Sequence, residues 1–240
     1  VNLSEWTQIH THILHLEQAG LVSRTFRRLD PERQQAILTA ILDEAAEKGP
    51  AALNIKLVAE RAGVSVGSLY TYFPNREGLL AFAAEVCVRF VTEQFDEFRP
   101  YLVALPLQDA LEAYLVGGVE WSRMYAGFLR LFARAAYHGD PELAELLVRP
   151  IATVLREMVT EMVVAAAERG ELREDVDLEA TARVIHALTV VAGDSQLLPY
   201  LNTYFQVLDE DVPPERLIAA LTQLVLRGIR TNDGKEEEYG

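Results

Sequence analysis

The sequence predicts an all-α protein: an N-terminal three-helix domain containing a helix-turn-helix, followed by a longer helical domain. Three observations carry this. Apolar residues recur at spacings of three and four along most of the 240 residues, with few strand signals. Glycines and prolines fall mainly between these periodic stretches. Between Asn54 and Phe73, two short helical stretches are separated by a break at Gly63, the pattern of a helix-turn-helix.

The elements follow in order. A first helix is predicted from Ser4 to Ala19, stopped by Gly20, with Trp6, Ile9, Ile13 and Leu16 as its apolar stripe. His10, His12 and His15 lie on it, but their spacing is not an i, i+4 ligand pair and no cysteine is near, so no metal site is expected. A second helix runs from Pro31 to Lys48. Asp30 is placed to cap it, Ile37, Leu38, Ile41 and Ala45 form its buried stripe, and Gly49-Pro50 ends it. Asn54 caps a short helix to Ala62, Gly63 breaks it, and Ser65 caps a second from Val66 to Tyr72. Pro74 ends that helix and Asn75 caps the next. Val58, Ala62, Val64, Leu69 and Phe73 supply a small common core, leaving Ser65, Val66, Ser68, Tyr70 and Tyr72 outward or tangential. A recognition helix needs one anchored face and one free face.

From Arg76 a long helix is predicted to about Phe98, with Pro100 and Pro106 bracketing a connector. Helical patterns resume at about 107–121, 123–138, 142–169, 177–197 and 213–229, with Pro150 a candidate kink in the third of these. The expected organisation is an extra helix and arm at 1–24, a helix-turn-helix domain at 25–78, a second helical domain at 79–231 and a frayed acidic tail at 232–240.

The net charge of −14 is unevenly spread. Residues 1–90 carry 9 basic and 10 acidic side chains, residues 91–240 carry 13 and 26. A polyanion meets the local field of its docking surface, so the near-neutral N-terminal region permits nucleic-acid binding that the total argues against. Arg24, Arg27 and Arg28 are its densest basic cluster. The single cysteine, Cys87, excludes an intrachain disulfide and is expected to pack in an apolar helix. The first residues do not read as a secretory signal and no 18-residue apolar run occurs, so a cytoplasmic protein without membrane association is expected. No phosphate-cradling glycine loop, nucleophile elbow or zinc-peptidase motif is present, so neither an enzyme nor a cofactor is expected.

The stretch Leu57–Phe82, LVAERAGVSVGSLYTYFPNREGLLAF, resembles the DNA-binding signature of TetR-family repressors. The resemblance is strong over about residues 31–82. It implies a two-fold homodimer on a palindromic double-stranded operator, released when a small molecule binds the second domain. It further implies that Val66, Gly67 and Ser68 face the bases, that Lys56 reaches a base or phosphate, and that Tyr70 and Tyr72 touch the backbone. Arg76 replaces the family's common lysine, where a cation can address phosphate. Val66 has no hydrogen-bonding group and suits a thymine methyl. Sparse direct reading by this helix leaves room for Lys56 and for an Arg27-Arg28 arm.

The richest aromatic segment, 114–137, supplies Trp121, Tyr125, Phe128 and Phe132 as candidate effector contacts. Met158, Met162, His186 and Val190 could close the site from other helices. Little basic character nearby points to a neutral or cationic apolar effector. The candidate dimer surface is Ala180, Val184, Ala187, Leu188 and Val191 on one helix, with Leu217, Leu221, Leu224 and Val225 on another, giving a four-helix interface between two chains. A ligand-independent DNA-binding dimer, or an interaction module without DNA binding, would share the helical pattern.

Overall fold

The computed structural model describes Trp6 and residues 9–231. Ser4, the predicted cap of the first helix, and the acidic tail at 232–240 lie outside these residues. Among the described residues every regular element is helical, apart from an isolated antiparallel bridge between Leu172 and Arg230. They divide into two compact units. The first holds the described residues up to Gln94 together with Tyr125–Ala152, and the second holds Phe95–Met124 and the residues from Thr153 onward. The expected boundary near residue 78 differs from this division: residues 79–94 and 125–152 lie in the same unit as the helix-turn-helix.

The first unit contains α1 (Ile13–Gln18) and α2 (Arg24–Arg27). The single helix expected to Ala19 is interrupted at Thr11–His12. There the His12 amide donates to the Ile9 carbonyl at 3.0 Å, a tighter i→i−3 bond than the α-helix uses. Trp6, Ile9, Ile13 and Leu16 are all buried as predicted, and Gly20 ends the segment at φ 74°. α3 (Pro31–Lys48) starts at Asp30, whose carboxylate accepts from the Arg33 amide at 2.8 Å. A 3₁₀ turn, Pro50–Ala52, leads into α4 (Ile55–Arg61) and α5 (Val66–Tyr72). α6 (Arg76–Ala104) starts in this unit. α8 (Ala126–His138) packs on α3 and on the 3₁₀ turn, with Gly127 leaving room for the Leu42 side chain. α9 (Pro141–Leu143) continues into a π-helical segment, Ala144–Val148. Pro150, a candidate kink, lies in the first turn of the next helix, Arg149–Glu168, where its missing N–H costs no helical bond. Leu143 and Leu147, four residues apart, are both buried.

The second unit contains the later part of α6, α7 (Leu107–Met124), α10 (Arg149–Glu168) from Thr153 onward, α11 (Leu178–Leu197), α12 (Pro199–Phe205) and α13 (Pro214–Ile229). α7 packs on both α11 and α13, around a core that includes Leu111, Met158, Val163, Ile185 and Leu226. α6 runs through Pro100, where a connector was expected. Proline removes one helix donor and crowds the preceding carbonyls, yet Pro100 is exposed and Leu102 just beyond it is buried. Arg169 donates to the Val103 and Leu105 carbonyls at 3.0 and 2.7 Å, capping the end of the helix. Pro199 both ends α11 and opens α12, a helix not expected from the sequence. Asn202 holds the turn after it by bonding the Leu208 carbonyl and amide.

Candidate nucleic-acid interface

The helix-turn-helix is built from caps that the sequence names. Asn54 Oδ1 accepts from the Lys56 amide at 3.0 Å. Ser65 Oγ accepts from the Ser68 amide at 3.0 Å and lies 2.8 Å from Ser68 Oγ. Asn75 Oδ1 accepts from the Gly78 amide at 2.7 Å. Between α4 and α5, Gly63 takes φ 65° and Val64 returns its amide to the Ala59 carbonyl, which makes the sharp turn. Val58, Leu69 and Phe73 are buried beneath this turn, while Ala62 and Val64 are half-buried. Arg61 locks α4 to α3 with a two-pronged ion pair to Glu47 and a 3.4 Å approach to the buried Glu44. That hydrogen bonding holds the Glu47 carboxyl below its ordinary range.

The free face of α5 carries Ser65, Gly67, Tyr70 and Thr71 in solvent, with Val66 and Ser68 half-exposed. Lys56 is exposed at the start of α4. Tyr70 is 56% exposed, whereas Tyr72 is only 8% exposed. The outward direction expected for Tyr72 is therefore corrected. Its ring lies edge-on to Phe26, centroids 6.0 Å apart, because α2 occupies that side of α5. Thr71, not singled out from the sequence, joins the exposed face and donates to the Gly67 carbonyl. Gly67 is informative. A Cβ there would meet nothing closer than Ser65 Oγ at 3.7 Å, an ordinary contact. The fold does not require glycine inside this helix, where it costs about 0.5–1 kcal/mol relative to alanine. What its missing side chain provides is close backbone access from outside.

The basic candidates divide. Arg24 and Arg28 are exposed, but Arg27 is paired with Glu17. Arg76, expected to address phosphate, instead turns its guanidinium onto the chain. Nε donates to the Leu53 carbonyl at 3.0 Å, and Nη2 donates to the Pro50 carbonyl at 3.1 Å and to the Ala51 carbonyl. The reason is local. The turn and the residue after it bring three carbonyls within reach of one planar guanidinium fork.

The candidate effector residues fall into both units. Tyr125, Phe128 and Phe132 belong to the first, where Phe90 packs on Tyr125 at 4.9 Å and on Phe128 at 5.1 Å. Phe128 and Phe132 are buried there. Cys87 is also buried in this unit, donating to the Phe128 carbonyl, and burial pushes its thiol upward. Trp121, Met158, Met162, His186 and Val190 belong to the second unit. Trp121 packs on Phe95 at 5.3 Å, and Met158 and Met162 are core residues. His186 is half-buried, and its buried Nδ1 makes no hydrogen bond with any described residue. Nearby, the buried phenol of Tyr114 hydrogen-bonds Thr189 and is pushed up to about 12 by desolvation. Thr189 in turn donates to the His186 carbonyl at 2.8 Å.

Burial first, then the Arg156 charge, lowers the His186 pKa from 6.5. The unfolded chain therefore takes up this proton at a higher pH than the folded chain. The stability that the neutral imidazole contributes is present above 6.5 and is lost as pH falls from there through the depressed folded value. Denaturant titrations at several pH values should show a shallower acid loss for His186→Gln than for the wild type. Parallel pH curves would show that the imidazole does not titrate across folding.

On the second unit, Ala180, Val184, Ala187 and Leu188 lie exposed along α11, with Val191 half-buried. Leu224 is 69% exposed on α13 and Leu217 is half-buried. Leu221 and Val225, expected in the same dimer face, are 7% and 8% exposed within one chain. They are corrected to protomer core: the α13 face carrying them packs into the core around α7.

Among the described residues, no group of three histidine, cysteine or acidic side chains is placed to hold a metal, and no helix is long and apolar enough to cross a membrane. Residues 37–82 match the family of bacterial regulatory proteins described as the tetR family. The transcriptional repressor KstR of Mycolicibacterium smegmatis is 41% identical over 73 residues, 30% of this chain and 34% of that protein. The matched stretch thus spans about a third of that relative's length. A TetR-family regulator from Chloroflexus aurantiacus has a similar structure: TM-score 0.62 at 20% identity, covering 88% of this chain and 99% of the other. A complex of SmeT with triclosan aligns with TM-score 0.62 at 18% identity, covering 84% and 93% of the two chains.

Proposed function

We infer that this chain, whose residues 37–82 match the tetR family of bacterial regulatory proteins, is a dimeric, DNA-binding transcriptional repressor released from a palindromic operator by a small effector. The observation that carries the reading is the free face of α5: Ser65, Gly67, Tyr70 and Thr71 are exposed on a helix whose other face is anchored by Leu69. Val66 is set against the bases as an apolar contact. Ser65 and Ser68 supply short hydroxyls, Lys56 a flexible cation, and Tyr70 a hydroxyl for the sugar-phosphate backbone. Arg24 and Arg28 add exposed positive charge on the preceding segment. The effector contacts are assigned to the second unit, around His186, Tyr114 and Thr189. An apolar ligand with one polar group would satisfy the bare His186 nitrogen. The SmeT neighbour that holds triclosan supports a compound of small size.

Selection of duplexes by the protein from a random pool tests the reading, and the enriched sequence should be palindromic. Gly67→Ala sharpens the test because stability and binding move in opposite directions. The free protein should gain about 0.5–1 kcal/mol, while affinity for the selected duplex falls about tenfold or more, the cost of losing one base contact. Failure of any sequence to enrich, or binding by Gly67→Ala equal to that of the wild type, would sink it. The effector assignment is checked separately. A compound that raises the melting temperature should also lower operator affinity; if no apolar compound does both, the protein is a ligand-independent DNA-binding dimer.

A further inference from the structure

We propose that Arg76 is a positioning residue of the reading head: its guanidinium, seated on the carbonyls of Pro50, Ala51 and Leu53, fixes where α4 begins and so where Lys56 and α5 are presented. The proposal rests on the reading of α5 as the helix that meets DNA. The role it displaces is that of a phosphate ligand at the start of α6, the role that the resemblance implies for a cation there.

Four observations carry it. First, the guanidinium already uses Nε and Nη2 on main-chain oxygens, at 3.0 Å to Leu53 and 3.1 Å to Pro50, with Ala51 also accepting from Nη2. Only Nη1 remains, and it lies 3.9 Å from Glu77 Oε1. A phosphate gripped through Nε or Nη2 would therefore cost internal hydrogen bonds, and only Nη1 could reach one without that cost.

Second, the segment it holds has sparse backbone bonding of its own, although α3 and α8 pack on it. The Pro50–Ala52 turn is closed by two backbone bonds, Ala52 to Gly49 at 3.1 Å and Leu53 to Pro50 at 3.4 Å. The second is at the long end for an N–H···O bond. Gly49 enters the turn at φ 86° and offers no side chain to stiffen it.

Third, the clamped Leu53 immediately precedes Asn54, the cap of α4, whose side chain receives the Lys56 amide. Any displacement of the turn therefore passes to α4, and from α4 to the α5 helix packed on it.

Fourth, the chemistry is specific to arginine. Addressing three carbonyls from one planar head needs a fork of fixed N–H directions. A lysine ammonium offers three donors around one nitrogen and cannot span them. Lysine would serve at least as well as a point charge on phosphate.

Lysine substitution therefore separates the two roles. The probes are the duplex that the wild type selects and a scrambled duplex of the same length, titrated over a series of salt concentrations. Positioning predicts that both Arg76→Lys and Arg76→Ala lose about tenfold or more in the ratio of selected to scrambled affinity, the scale of one misplaced base contact. The slope of log affinity against log salt stays at the wild-type value, and the amides of Ala52, Leu53 and Lys56 exchange hydrogen faster in both variants.

Phosphate binding predicts the opposite, and that pattern overturns the proposal: Arg76→Lys behaves as wild type, Arg76→Ala loses about 0.9 from the salt slope, and amide protection is unchanged. Should Arg76→Ala fail to fold, Arg76→Lys decides between these outcomes alone. A wild type that binds no duplex brings down the underlying DNA reading instead. In that event, unchanged amide protection in the folded variants overturns the clamp as well.

Discussion

Replacing Phe26 with alanine should cost about 3–5 kcal/mol, the scale for deleting a fully buried aromatic ring, and should loosen the reading head before the rest of the protein. Phe26 is completely buried although it lies ahead of the segment that resembles the DNA-binding signature. Its ring packs against Phe73 at 5.3 Å and Phe82 at 5.2 Å as well as against Tyr72. Phe73 and Phe82 also touch each other at 5.2 Å, so removing Phe26 takes the middle out of a cluster joining α2, the end of α5 and α6.

The backbone is stitched at the same place. Ser23 donates its amide to the Tyr72 carbonyl at 2.9 Å. The buried Gln34 side chain donates to the Phe26 and Arg27 carbonyls at 3.0 and 3.3 Å. Denaturant unfolding together with hydrogen exchange across α4 and α5 would measure the effect. A loss of less than about 1 kcal/mol would mean that α2 is an accessory rather than part of the reading head.

Introducing aspartate at both Val184 and Leu224 should separate the protomers while leaving each folded, and should cut operator affinity by about 10²–10⁴, the gain that linking two binding modules supplies. Within one chain these side chains are 58% and 69% exposed, so a carboxylate there disturbs little of the protomer. Across the proposed two-fold axis the same change would bury unpaired like charges, which is strongly unfavourable. The surrounding Ala180 and Ala187 are small enough to let two copies of α11 approach closely. Sedimentation would report the assembly and circular dichroism the fold of each chain. A double variant that remains dimeric would move the interface away from α11 and α13.

The sequence made the head legible because its signals are local. Asp30, Asn54, Ser65 and Asn75 each cap a neighbour within three residues, and Gly63 takes the one conformation that the turn requires. The periodic stripes of α11 and α13 were equally readable. Which of their apolar residues face inward was not: Leu221 and Val225 share their chemistry with Leu224, and only packing into the core around α7 tells them apart. Pro100 read as a break because the carbonyl caps supplied by Arg169 lie more than sixty residues away in the chain.

By itself, then, the sequence determined the helical class, the helix-turn-helix and its caps, since hydrogen bonds and apolar spacing within a few residues suffice for these. Tertiary structure decided what each longer side chain does. It turned Tyr72 inward under Phe26, gave Arg27 to Glu17, placed Arg76 on the loop before α4, and put the aromatic candidates of α8 in the same unit as the reading head. The reason is physical. A cap is satisfied by its own neighbours, whereas an aromatic ring or a guanidinium reaches several ångströms to partners that come together only when the chain folds.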